Sequence, residues 1–306
     1  MTDFRQFSIR KNLRLRAGII QAIRGFFIER DYLEVETPYR IPAPAPEAHI
    51  DALCSGDWFL HTSPELCMKR LLAAGYPRIF QICKCFRGEE RGRKHLGEFT
   101  MLEWYRTEAD YSDIMEECEE LICFAAGQTG FKNTLTYQGE KIDLTRPWQR
   151  MSVREAFENF SPMTLNTALC QDRSDEIIAC EIEPNLGRGK PLFLYDYPAP
   201  LGALARLSHD DASVAERFEL YISGLELCNA FSELNDPAEQ RTRFEAELSY
   251  RRTSGKTVYS MPEKFLRSLE FMPEAGGNAL GIDRLLMLFA DTGKIDDVTA
   301  FTPEEL

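Results

Sequence analysis

Phe86-Arg-Gly-Glu-Glu-Arg-Gly-Arg-Lys-His-Leu-Gly-Glu-Phe-Thr-Met-Leu-Glu-Trp-Tyr105 decides the fold. Strand-forming residues flank a basic, glycine-punctuated centre, so the segment reads as a hairpin whose loop carries Arg91, Arg93, Lys94 and His95. Side chains alternate across a strand, which puts Arg87 and Glu89 on one face of the first strand and Phe99, Glu103 and Tyr105 on one face of the second. An arginine, a histidine, an aromatic ring and several carboxylates so gathered suit a nucleotide-phosphate clamp joined to an amino-acid pocket. A buried arginine–glutamate pair would account for Arg87 and Glu89, but it would leave His95 and Phe99 unexplained.

Upstream, Leu15, Ile19, Ile20, Ile23, Phe26 and Phe27 recur at helical spacing, giving an amphipathic helix that ends near Arg30. Tyr32-Leu-Glu-Val-Glu-Thr-Pro38 alternates as a strand and stops at proline. His61-Thr-Ser-Pro-Glu-Leu66 opens another helix, with Ser63 as cap, Pro64 at its first position, Leu66, Leu71 and Leu72 facing inward and Gly75 ending it. That places Glu65 in the first turn, where the helix dipole alone would favour it by about 0.3–1 kcal/mol.

Downstream, an acidic helix spans about 112–126, and the pattern is weak as far as Lys190. The segment of about 107–190 therefore reads as an insertion between two halves of a site. Leu192–Tyr197 reads as a buried strand, and Phe218–Ile222 meets Leu225–Cys228 across Ser223-Gly224, the dipeptide of a tight hairpin. Gly276-Gly-Asn-Ala-Leu-Gly-Ile-Asp-Arg284 is a strand and turn leading into a helix that carries Leu285, Leu286, Met287 and Phe289.

The 306 residues, 44% of them hydrophobic, suffice for one main domain with its own core. Nine cysteines are scattered, and the closest pair, Cys83 and Cys85, is separated by one residue rather than the two to four of a zinc knuckle, so reduced cytosolic thiols are expected. No apolar run reaches the length of a membrane span, and Met1–Lys11 lacks a signal-peptide core, so a soluble, cytoplasmic protein without membrane contact is expected. A net charge of −13 argues against a broad nucleic-acid surface. Arg5, Arg10, Lys11, Arg14 and Arg16 read as a solvated face.

The hairpin resembles motif 2 of the class II aminoacyl-tRNA synthetases, in the form found in lysyl-tRNA synthetases. The helix and strand of about 17–38 resemble motif 1, which in that family builds a homodimer interface, and about 276–289 resembles motif 3. The resemblance implies an α+β fold, a mainly antiparallel sheet flanked by helices, as a single catalytic domain over 1–306. It also implies ATP as substrate and Mg2+ as cofactor. Arg87 would bridge the substrate carboxylate and the α-phosphate, and Arg284 would close on the γ-phosphate. These two are the catalytic candidates. Glu89 would accept from the adenine amino group, Phe99 would stack on the ring and His95 would lie near the γ-phosphate. Glu219 and Glu226 match the magnesium ligands, and a two-residue hairpin would make them diagonal neighbours on one face.

Asn229-Ala-Phe-Ser-Glu-Leu-Asn-Asp236 nearly repeats the lysyl signature. Glu233 and Glu103, with the Tyr105 hydroxyl, would hold a terminal ammonium, Glu65 the other amino group and Asn229 the carboxylate, with Phe231 and Ala279 at the pocket. Two carboxylates around one ammonium select a diamino acid, lysine or a close isomer. One difficulty is geometric: in a regular strand Glu226 and Asn229 point to opposite faces, so a bulge near Leu227–Ala230 is expected.

Lysyl-tRNA synthetases carry an anticodon-binding barrel before motif 1, and nothing of that kind is expected here. That departure resembles the short lysyl-type family that attaches lysine or (R)-β-lysine to a lysine side chain of elongation factor P, as does Ala279, which stands where lysyl-tRNA synthetases have glycine. The resemblance implies adenylate formation from ATP and the diamino acid, then transfer to elongation factor P as protein acceptor, with transfer RNA an unlikely partner. The acceptor would enter past Arg91, Arg93 and Lys94. The alternatives are a minimal enzyme charging transfer RNA or a carrier, an asparagine synthetase-like paralogue, which the acidic pocket disfavours, and a catalytically silent regulatory paralogue.

Overall fold

The computed structural model describes residues 4–202 and 204–306. Its centre is an eight-stranded sheet built from β1 (Leu33–Glu34), β2 (Arg78–Phe86), β3 (Glu98–Thr107), β4 (Gln149–Ser152), β5 (Leu192–Pro198), β6 (Val214–Ile222), β7 (Leu225–Ser232) and β8 (Ala275–Gly281). The strand order is β1-β2-β3-β8-β7-β6-β5-β4. Only the two edge strands pair in parallel, β1 with β2 and β4 with β5, so the sheet is mainly antiparallel as expected.

One face carries the core. Leu102, Trp104, Leu280, Phe218 and Leu220 meet α1 (Arg10–Ile28), α3 (Tyr111–Gln128) and α5 (Ile282–Phe289) through Ile23, Phe26, Phe27, Ile114, Leu121, Leu285 and Leu286, all fully buried. Each such side chain stabilises the fold by about 1.5–3 kcal/mol. The opposite face is left for polar chemistry, and α2 (Glu65–Ala73) and α4 (Pro237–Thr253) lie among the elements around it.

The strand expected over 32–38 contracts to β1. Val35 adds one further hydrogen bond, its N–H donating to the Phe80 carbonyl at 2.9 Å, before the chain reaches Pro38, which has no N–H to give. α2 begins at Glu65, with Ser63 Oγ accepting from the Glu65 N–H at 3.0 Å, and Gly75 leaves it with φ of 93°. The segment 107–190 is woven into the domain: α3 fills the main core and β4 extends the sheet. Two residues of the N-terminal basic cluster bind within the molecule. Arg5 donates to the Asp296 and Ala300 carbonyls, and Arg16 pairs with Asp283 at the start of α5.

Between β6 and β7, Ser223 (φ 51°) and Gly224 (φ 68°) both adopt left-handed backbone, the geometry of a type I′ hairpin turn. Register then slips once: Tyr221 faces Glu226, but Leu220 faces Cys228, so Leu227 is an extra residue. This is the expected bulge. Asn229 consequently pairs with Glu219 and Phe231 with Arg217, and Glu226, Asn229 and Phe231 all reach the polar face.

Candidate active site

On the polar face, register lines residues into rows across four strands. Glu103, Ala279, Asn229 and Glu219 form one row, and Tyr105, Gly277, Phe231 and Arg217 form the next. Above them opens a cavity of about 650 Å³, lined among others by Glu65, Arg87, His95, Phe99, Glu103, Glu226, Asn229, Phe231, Ala279 and Arg284. Ten of the expected residues, drawn from four regions of sequence, therefore share one space.

At its amino-acid end the cavity is anionic. Glu103 is fully buried, accepting from Ser63 Oγ at 2.5 Å and from the Tyr105 hydroxyl at 2.9 Å. Burial, and then the nearby Glu65 charge, push its carboxyl well above the usual range. Beneath it lies Lys69, also fully buried, with its Nζ 2.5 Å from Glu65 Oε1 and 2.5 Å from Glu233 Oε2. Burial lowers the ammonium's pKa, but Glu233 and Glu65 together outweigh that and raise it, so Lys69 is charged. Burial likewise raises the Glu233 carboxyl against the pull of Lys69. Glu65 and Glu233 thus share one ammonium, with Glu103 near enough to Glu65 to feel its charge.

Two expectations change here. Glu233 does not line the cavity, because Lys69 holds its carboxylate, and its Oε1 has no hydrogen-bond partner. Tyr105 lies behind Glu103 rather than on the cavity wall, so its hydroxyl orients that carboxylate. Gly277 makes room for both, since a Cβ there would overlap Glu233 Oε1 and the Tyr105 ring.

At the nucleotide end, β2 ends at Phe86, so Arg87 and Glu89 lie in the loop and not on a strand face as expected. Gly88 turns the chain by donating its N–H to the Asp51 carbonyl at 2.6 Å. Glu89, with φ of 59°, is exposed and outside the cavity; its neighbour Glu90 lines it instead, 3.9 Å from Arg87. The Arg87 guanidinium sits 5.1 Å from the Phe99 ring centroid, and its buried Nε has no partner, a donor left for an anion. Arg284, at the first turn of α5, donates to Glu226 Oε2 at 3.0 Å and to His95 Nε2 at 2.6 Å. His95 is therefore an acceptor, and burial together with the Arg284 charge lowers its pKa.

Glu219 does not line the cavity; it accepts from the Tyr197 and Tyr221 hydroxyls, each at 2.6 Å, and from Arg217 at 2.6 Å. Glu226 is its diagonal neighbour, as the hairpin implies. A third carboxylate, Glu183, accepts from Tyr221 at 3.2 Å and is pushed up to about 7 by burial and by Glu226 and Glu219. Burial and the neighbouring Glu226 and Glu219 thus crowd three carboxyls at this corner. Sequence reasoning missed Glu183, Arg217 and Lys69. Lys69 alone left a signal, four residues after Glu65 on one helix face.

Of the loop arginines expected to meet an acceptor, Arg91 is committed within the chain, paired with Asp296 at 3.0 Å and Glu304 at 2.8 Å. Arg93 and Lys94 instead line a second cavity of about 520 Å³ with Arg188, Tyr137 and His95. Among the described residues no helix is long and apolar enough to cross a membrane, and all nine cysteines are free thiols.

Comparison with known proteins places the chain in a family. A lysine–tRNA ligase of Moorella thermoacetica is 39% identical over 94% of the chain, and the chain spans 64% of that protein's length. Elongation factor P–(R)-β-lysine ligases of Pectobacterium atrosepticum and Vibrio atlanticus are 40% and 38% identical over 96% and 95% of the chain, with 95% of each ligase covered. A family model described as tRNA synthetases class II (D, K and N) matches residues 1–305, and the chain belongs to that family.

Proposed function

We propose that this chain activates lysine or (R)-β-lysine with ATP and transfers it to a lysine side chain of elongation factor P. The observation that carries the reading is the charge count at the amino-acid end. Glu65 and Glu233 share Lys69 and Glu103 lies near Glu65, so with its carboxyls ionised this end carries more negative than positive charge, which the ammonium groups of a diamino acid would balance. A neutral side chain would leave buried charge unpaired, so Glu103, oriented by Ser63 and Tyr105, and Glu65 act as the selecting groups. Ala279 pairs with both Glu103 and Asn229, so its methyl shapes the floor between amino-group and carboxylate contacts.

In the first half-reaction a substrate carboxylate oxygen attacks the α-phosphorus of ATP, and the bond to the bridging oxygen breaks to release pyrophosphate. Arg87 would neutralise charge at the reacting phosphoryl group through its unpartnered Nε, and Arg284 and His95 would bind the terminal phosphate end. Phe99 offers the adenine a stacking surface. Glu226, which lines the cavity, with Glu219 and Glu183 behind it, would hold a Mg2+ ion, whose charge would screen that of the phosphates. In the second half-reaction the acceptor amine attacks the adenylate carbonyl carbon and AMP leaves. Arg93, Lys94 and Arg188 supply positive charge beside that site for an acidic protein.

Two relatives named for that ligation are matched over 95% of their own length, which supports the protein acceptor. Exposed Ile28, Leu33 and Tyr39 beside the first helix and strand support a homodimer through that region. The test is pyrophosphate exchange with α- and β-lysine, followed by purified elongation factor P and transfer RNA as competing acceptors. Exchange with either lysine and transfer to the protein is the expected outcome; charging of transfer RNA alone overturns the reading.

A further inference from the structure

Two thiols with one residue between them are poor metal ligands in a loop, but on a strand positions i and i+2 share a face. Cys83 and Cys85 do this on β2, and their sulfurs lie 3.9 Å apart. Two sulfurs each about 2.3 Å from a tetrahedral zinc ion would be about 3.8 Å apart. His61 completes a group in which one ligand atom from each residue lies within 4.8 Å of the others, all three residues being buried. Its Nε2 is 2.7 Å from the Lys84 carbonyl oxygen, so Nε2–H donates there and Nδ1 keeps its lone pair, the arrangement that orients metal-binding imidazoles.

Two further observations mark the place as polar and soft. Gln81, one pair further along the same strand face, is buried and its Oε1 has no hydrogen-bond partner. Met101 Sδ lies 4.0 Å from Cys85 Sγ. We infer that His61, Cys83 and Cys85 form a binding site for a thiophilic d10 metal ion, zinc(II) by charge, set in the sheet beside the cavity wall. Two thiolates and a neutral imidazole around a divalent ion sum to zero, whereas a monovalent ion would leave a net negative charge near buried Glu103. Loading would release the thiol protons to solvent.

The site touches the cavity. Cys83, Cys85 and Met101 pack together with Phe99 and Ala279, and Met101, Phe99 and Ala279 all line the cavity. Methionine is flexible enough to give an ion passage from that side.

The chain, stripped with chelator, is titrated with Zn2+ against a chromophoric competitor and with Cd2+ while the thiolate-to-cadmium charge-transfer absorption is followed. One equivalent should bind, and Cys85→Ser and His61→Gln should each weaken binding by roughly 10- to 100-fold. Cys118→Ser is the control: Cys118 and Cys228 also place sulfurs 3.9 Å apart in the core, but that pair belongs to no such His-containing group among the described residues. It should bind like the parent. Circular dichroism melts establish that each variant is folded. Absence of stoichiometric binding by the parent, or equal binding by a folded Cys83→Ser/Cys85→Ser variant, overturns the inference. Neither readout depends on the enzyme's substrate.

Discussion

Replacing Lys69 by methionine keeps a long, unbranched apolar side chain and removes its charge. The ammonium touches Glu65 and Glu233 at 2.5 Å each and is fully buried, so the variant leaves two carboxylates, and Glu103 beyond them, without a cation. Removing one partner from a buried ion pair destabilises by about 3–5 kcal/mol. For a chain of this size that lowers Tm by roughly 6–15 °C, at about 2–3 °C per kcal/mol. The deficit should depend on pH. Glu233 and Glu103 already bind protons more tightly folded than unfolded, and without Lys69 that preference grows. Carboxyls raised in this way cost stability when ionised, so the gap between parent and variant is widest near pH 8 and closes towards pH 5. Thermal unfolding across that range measures it, and Lys69→Met/Glu233→Gln should recover much of the loss at pH 8. A deficit that is constant with pH and unrelieved by Glu233→Gln would mean that packing, not charge, explains Lys69.

Arg87→Lys should lower pyrophosphate exchange by roughly 100- to 1,000-fold, since an ammonium cannot reproduce the guanidinium fork over Phe99; unfolding midpoints should barely move. Gly277→Ala should cost about 1–3 kcal/mol in chemical denaturation, because its Cβ would overlap Glu233 Oε1 and the Tyr105 ring, both of them buried. Glu183→Gln should flatten part of the pH dependence of stability without Mg2+. A carboxyl raised from 4.5 to about 7 costs nothing below pH 4.5 and its full penalty above pH 7, about 3 kcal/mol at most and less with partial exposure. Identical slopes for parent and variant would show that Glu183 is not held against Glu219 and Glu226.

The sheet and the cavity were legible in the sequence because local signals and order along the chain agreed. Ser223-Gly224 specifies a turn whose two residues both adopt positive φ, and that turn fixes β6 against β7. The bulge at Leu227 followed from requiring Glu226 and Asn229 on one face, a constraint that periodicity alone would break. Other features depended on contacts that have no sequence period. Glu89 turns away because Gly88 binds the Asp51 carbonyl, 37 residues upstream. Arg91 is drawn off by Asp296 and Glu304 near the other end of the chain, and Glu183 reaches its fellow carboxylates from a short helical turn. Cys83 and Cys85 are free thiols as expected, but the spacing rule that set them aside is one for loops, whereas on a strand positions i and i+2 share a face.

On the proposed reading, the same geometry would keep diamino-acid selection from residing in one side chain. Glu103 faces the cavity, yet Ser63 and Tyr105 already satisfy one lone pair on each of its oxygens. Glu65 is shared with Lys69, and Glu233 is reached only through Lys69. An incoming ammonium therefore meets a coupled group whose total charge matters more than any single contact. Converting Glu233 to Gln would remove charge without touching a cavity-lining atom, and lysine affinity should still fall. If it did not, the pocket would be reading local hydrogen bonds rather than net charge, and the count on which lysine selection rests would fail.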